Sequence, residues 1–139
     1  MTFRDHLNAL FAVIRDEQPL KYGEIARLVG EKRIVITDGL DGALVLVQRG
    51  TLVARHGDME TAAGRFTPDG ATALIDGTLT TAEAIRRGVL DCTGSVADIT
   101  LFFVILSIVV FASGRSVRAA ALWRQYRATT QVGAEIQSE

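Results

Sequence analysis

At 139 residues, 48% of them hydrophobic and 22% charged, the chain has the size and composition of one globular domain able to bury a core without staples. A formal net charge of −1 and an aromatic content of 6% exclude both a general electrostatic attraction to nucleic acid and a base-stacking platform, so no nucleic-acid partner is expected. The single cysteine, Cys92, excludes an intrachain disulfide, and the isolated His6 and His56 form no zinc motif; no metal and no cofactor is expected.

Thr2 is placed to cap a first helix in which Leu7, Leu10, Phe11 and Ile14 recur at helical spacing, and Pro19 ends it. Residues 22–30 read as a short second helix stopped by Gly30. The grammar then changes to strands: 33–37, then 43–48, which is apolar enough to be central and covered on both faces. Arg49-Gly50 makes a tight hairpin into 51–56, and Gly57-Asp58 turns toward a less regular strand over 59–66. The pattern is an antiparallel meander with no βαβ crossover.

Thr67 and Pro68 start a helix that Gly77 ends, and Thr80 with Glu83 starts another that Gly88 ends. A last strand covers 89–93, and Ser95 with Asp98 caps the helix after it. Its central segment, 99–112, is uncharged and bounded by Asp98 and Arg115. Residues 115–128 continue as helix, while 130–139 read as a flexible tail, leaving 1–129 as a single domain. The N-terminus has none of the features of a signal peptide and the C-terminus is no peroxisomal address, so a cytoplasmic location is expected.

The spacing Gly77-x-Leu79-x4-Ala84-x3-Gly88-x-Leu90-x3-Gly94 resembles the signature of the sterol carrier protein, or nonspecific lipid-transfer, family. The resemblance covers roughly residues 30–113. It implies an α+β fold: a twisted, mainly antiparallel five-stranded sheet with helices on one face enclosing an apolar cavity for sterols, fatty acyl chains or similar ligands. The residues also have plain local roles. Gly77 and Gly88 permit positive φ at helix ends, Ala84 permits close helix-on-sheet approach, and Leu79 and Leu90 point inward.

Segment 99–112 carries the functional question. Its helix would rise about 21 Å against a hydrocarbon core of roughly 30 Å, which favours a buried or interfacial helix over a membrane span. A helix apolar all round must be covered on every face. One face can lie on the sheet; the other needs a ligand, a second copy of the chain, the N-terminal helix or a membrane surface. For a ligand, Leu101, Phe102, Ile105 and Val109 form one stripe and Phe103, Leu106 and Val110 the next. Val45, Val47, Val89 and Leu90 supply the floor, with core packing as the alternative for each. Arg115, Arg118, Arg124 and Arg127, with Trp123 and Tyr126 among them, read as a face for an anionic headgroup or for peripheral membrane contact.

Asp5/His6, His56/Asp58 and Asp91/Cys92 are the close chemistry-capable pairs, and each has a cap, turn or strand explanation. The expected function is therefore non-catalytic binding and transfer of a lipid-like hydrophobic ligand. The alternatives are a homodimerising or partner-docking module that uses 99–112, and an enzyme of the same fold acting on a hydrophobic substrate.

Overall fold

Thr2 closes a reciprocal capping box with Asp5 at the start of helix α1 (Phe3–Glu17) in the computed structural model, which describes residues 2–138 with side chains through Gln131. Gln18 separates α1 from α2 (Pro19–Val29), so Pro19 not only stops one helix but occupies the first turn of the next. Three strands come next: β1 (Ile34–Thr37), β2 (Gly42–Gln48) and β3 (Thr51–His56), the last two joined by a turn in which Arg49 and Gly50 have φ of 53° and 77°. Both positive φ values fit the mirror-image turn that matches the strand twist.

Residues 59–66 are not a continuous strand. Asp58 caps a 3-10 turn over Met59–Thr61, and only Gly64–Phe66 forms β4. β4 does not continue the meander beyond β3; it crosses to the far side of β1 and pairs with it in parallel. The sheet order is β3-β2-β1-β4-β5, with β5 (Leu90–Cys92) antiparallel to β4. Three of the four pairings are antiparallel, so the sheet is mixed but mainly antiparallel, and β1 is its centre. β2 is an interior strand, paired with β3 on one side and β1 on the other, as its apolar run predicts.

That outer edge is closed by helices. The side chain of Asn8 donates to the carbonyl of Ala54 and accepts from its N–H, both at 2.9 Å, and Tyr22 Oη accepts from the N–H of Leu52 at 2.8 Å. Edge-strand groups that could template aggregation are thus satisfied within the chain, and α1 and α2 are fixed over the sheet.

Between β4 and β5 run α3 (Pro68–Asp76) and α4 (Thr81–Arg86), capped by Thr67 and Thr80. Gly77 ends α3 in the left-handed conformation at φ 77°, where a Cβ would be strained. Leu79, Ala84 and Leu90 are buried and pack together with Leu74, so the signature residues form a small core of their own. α5 (Val96–Gly114) is capped by Ser95 and ends at Gly114, and α6 (Val117–Ser138) completes the chain's helices. The segment 130–139, expected as tail, carries the last turns of α6 as far as Ser138.

Candidate functional site

One face of the sheet and five helices surround an apolar chamber of about 100 Å³. The floor comes from Ile34 and Ile36 of β1, Val45 of β2, Phe66 of β4 and Leu90 of β5. The register places Val45 opposite Ile34 and Phe66 opposite Leu90, which brings these side chains to one side of the pleat. α1 contributes Leu7, Leu10 and Phe11, α2 contributes Ile25 and Val29, and α3 contributes Ala71, Leu74 and Ile75. Trp123 of α6 also lines it, and every other lining side chain among the described residues is a hydrocarbon. A surface of this kind offers a guest dispersion and relief from water, and nothing that could act as an acid, base or nucleophile.

α5 supplies Phe102, Ile105, Leu106, Val109 and Val110, a stripe at i, i+3, i+4, i+7 and i+8. The chamber-facing stripe thus takes members from each of the two stripes drawn from the sequence. Leu101 lies off it. Val47 packs into the main core beside α1 and α2, and Val89 packs in the second core, so neither borders the chamber. Of the eleven apolar residues expected to meet a ligand, Val45, Leu90, Phe102, Ile105, Leu106, Val109 and Val110 share the chamber; Val47, Val89, Leu101 and Phe103 do not. Phe102 also explains a glycine: a Cβ on Gly64 of β4 would collide with the Phe102 ring, so the bare backbone there is the seat of that ring.

α5 is held loosely for so apolar a helix. Only Ala112 and Ser113 are buried, 101–110 are half-buried apart from the exposed Val104 and Ser107, and Phe111 is 45% exposed. Its length and composition also suit a membrane span, and 17% of its apolar window is buried. The outward line of Val96, Val104 and Phe111 remains exposed in the monomer.

The four arginines do not share one face. Arg115 lies 4.0 Å from the centre of the Phe111 ring, and Arg118 approaches Asp16 of α1 at 3.6 Å. Arg124 and Arg127 border a second concavity, a groove of about 560 Å³ between α3, the end of α5 and α6, and Arg127 pairs there with Asp69. Trp123 and Tyr126, expected as surface anchors, are instead 6% and 1% exposed. They turn inward because α6 packs this side on α1, where Tyr126 donates its hydroxyl proton to Asp38.

His6 completes that aromatic layer. It is fully buried, stacked on Tyr126 at 4.6 Å and edge-on to Trp123 at 4.4 Å, and neither ring nitrogen has a hydrogen-bond partner among the described residues. Burial disfavours the imidazolium and lowers its pKa from 6.5 to about 4, so the ring is neutral at pH 7. Its neighbour Asp5 is occupied as the cap partner of Thr2. Burial, then Asp91 and Asp98, raise the pKa of the Cys92 thiol, which works against a nucleophilic thiolate. Asp58 caps the 3-10 turn. Asp5 and Asp58, each a member of one of the pairs picked from sequence, thus have capping tasks.

A mainly antiparallel five-stranded sheet with this helix order, and with an apolar chamber between sheet and helices, defines the sterol-carrier class of α+β fold. The chain has that fold. A solved structure described as a UbiJ-SCP2 ubiquinone synthesis protein is similar to it with a TM-score of 0.50, over 81% of this chain and 95% of that one. Sequence identity between the two is 15%, so the likeness is one of fold. No family model and no curated protein matches the sequence.

Proposed function

We propose that this protein binds one lipid-like hydrophobic molecule between its sheet and α5, without covalent chemistry, and carries it to an acceptor. The observation behind this reading is the chamber itself: a wall of aliphatic and aromatic side chains drawn from every layer of the fold. Each methylene moved there from water contributes about 0.8 kcal/mol, so a short hydrocarbon chain binds without an ion pair. The solved structure of similar fold is described as a ubiquinone synthesis protein, a description in keeping with a hydrophobic guest for this fold.

At about 100 Å³ the chamber is smaller than the several hundred Å³ of ordinary ligand pockets, so a whole lipid requires part of the wall to move. α5 is the wall least held by its surroundings, with its outer face exposed while the sheet stays paired. Outward displacement of α5 is the motion that admits a chain.

A second reading uses the same helix differently: the exposed line of Val96, Val104 and Phe111 seats a second copy of the chain, and the protein is an interaction module. Native mass spectrometry of protein purified from cells separates the two. The carrier reading predicts a monomer bearing the mass of one lipid. A ligand-free dimer supports the second reading, and a bare monomer counts against both.

A further inference from the structure

α5 has a second face with a composition of its own. Val96, Thr100, Val104, Ser107 and Phe111 recur at i, i+4, i+8, i+11 and i+15, and all five are exposed. They form one line about 22 Å long on the side opposite the chamber stripe. The line bears no charge, and its two hydroxyls are turned back on the helix. Thr100 Oγ1 donates to the carbonyl of Val96 and Ser107 Oγ to that of Phe103, each at 2.8 Å. α5 holds one carboxylate, Asp98, and Lys32 answers it at 2.7 Å. A helix with the length and composition of a membrane span thus leaves an uncharged face bare in water.

The far end of the line is different. The Arg115 guanidinium lies 4.0 Å and the Lys21 ammonium 5.3 Å from the centre of the Phe111 ring. Lys21 has Glu24 at 3.6 Å, a solvated pair that couples weakly, and Arg115 has no carboxylate partner among the described residues. Gln18 donates to the carbonyl of Ala112 at 3.0 Å and Ser116 to Glu17 at 2.6 Å, so the α1–α2 junction, the end of α5 and the start of α6 meet here. Leu20 and Val117, which follow closely on those contacts, are 88% and 85% exposed.

A second copy of the chain fits this face poorly by size. A stable interface engages about 20–30 residues a side, and a single line of five supplies a fraction of that. A bilayer needs no matching shape. It takes an apolar helix face with basic groups beside an aromatic ring at headgroup level, and negative headgroups complement Lys21 and Arg115. We propose that the outer line of α5, from Val96 to Phe111, is a docking face for an anionic membrane surface, with Lys21 and Arg115 among the headgroups. The helix lies in the plane of the membrane and does not cross it, because its opposite stripe is committed to the chamber. This goes beyond the carrier reading: the wall that moves to admit a guest is also the wall that touches lipid.

Val96→Glu and Val104→Glu each set a carboxylate on the line at an exposed position, and Leu40→Glu sets one on an exposed leucine of the β1–β2 loop as a control. With circular dichroism to confirm folding, the proteins are co-sedimented with vesicles of phosphatidylcholine alone and with about a quarter phosphatidylglycerol. Wild type and Leu40→Glu are expected to partition alike onto the mixed vesicles, and each line variant about tenfold or more weakly. Lys21→Gln and Arg115→Gln are each expected to weaken partition onto the mixed vesicles about fivefold and to leave that onto phosphatidylcholine unchanged. No wild-type partition, partition indifferent to phosphatidylglycerol, or partition untouched by the line variants overturns the docking face. So does light scattering that shows a wild-type dimer and a Val104→Glu monomer, which gives the line to a second copy. Retention on the vesicles through a carbonate wash also overturns it, by making α5 a span. The carrier reading is tested separately, by ligand binding in solution.

Discussion

Phe102→Ala is expected to lower the unfolding free energy by about 2–3 kcal/mol and, in the same variant, to let the protein bind a benzene-sized guest that the wild type takes poorly. The ring of Phe102 sits over Gly64 and forms part of the chamber wall, and it is half-buried rather than fully buried, which holds the loss below that of a sealed phenylalanine. Its removal transfers volume to the chamber. The β-sheet beneath, tied by backbone pairing, cannot move inward to refill it. Chemical denaturation and benzene titration followed by calorimetry check the two halves. Loss of stability without gain of binding means that α5 collapses onto the sheet, and the chamber is then ordinary packing.

His6 is expected to make the protein acid-sensitive at a pH above the range in which Asp5 and Asp98 lose their contributions. Its folded pKa of about 4 lies below the unfolded value of 6.5, so the unfolded chain binds the proton first as pH falls. Stability is full above pH 6.5, declines from there to about pH 4, and flattens below, with a total of about 3 kcal/mol by linkage. Asp5 and Asp98 also have lowered pKa values, from the Thr2 cap and the Lys32 pair, but their contributions are lost only as pH falls below 3.8. Urea midpoints at pH 7 and pH 5 should therefore differ in the wild type and nearly coincide in His6→Phe, which keeps an aromatic ring between Trp123 and Tyr126. A wild type with equal midpoints places the imidazole in contact with water.

Much of the fold was legible because its punctuation is local. Thr2, Thr67, Thr80 and Ser95 each cap the helix expected of them, and Gly77 and Gly88 take the positive φ that a helix end needs. The crossover of β4 was not legible. Nothing in residues 59–66 tells a strand that returns beside β3 from one that passes to the far side of β1, since both expose the same side-chain alternation. The α1 stripe of Leu7, Leu10 and Phe11 was visible, but period alone cannot say that it faces a chamber rather than filled core.

The same limit applies to the site. The uncharged apolar run identified α5 as the helix that matters, yet its uniform apolarity gave no phase, so the chamber-facing stripe emerged only from packing against Gly64, α2 and α3. Trp123 and Tyr126 misled because amphipathic aromatics beside arginines suit a membrane surface as well as a sealed interior. A signal for the inward arrangement did exist in His6, a polar residue on the apolar side of α1 that needs aromatic company.

Val109→Trp offers the sharpest check, because it sets a large ring where α5 faces the chamber while the sheet, α1 and the arginines are left alone. The measurement is the fluorescence of cis-parinaric acid titrated into wild type and variant, each shown by circular dichroism to be folded. Saturation at one equivalent by the wild type, with affinity down about tenfold or more in Val109→Trp, is what a guest held under that helix requires. Equal titration curves for the two proteins would mean that the fatty chain sits elsewhere and that the space beneath α5 is not where this protein keeps its ligand.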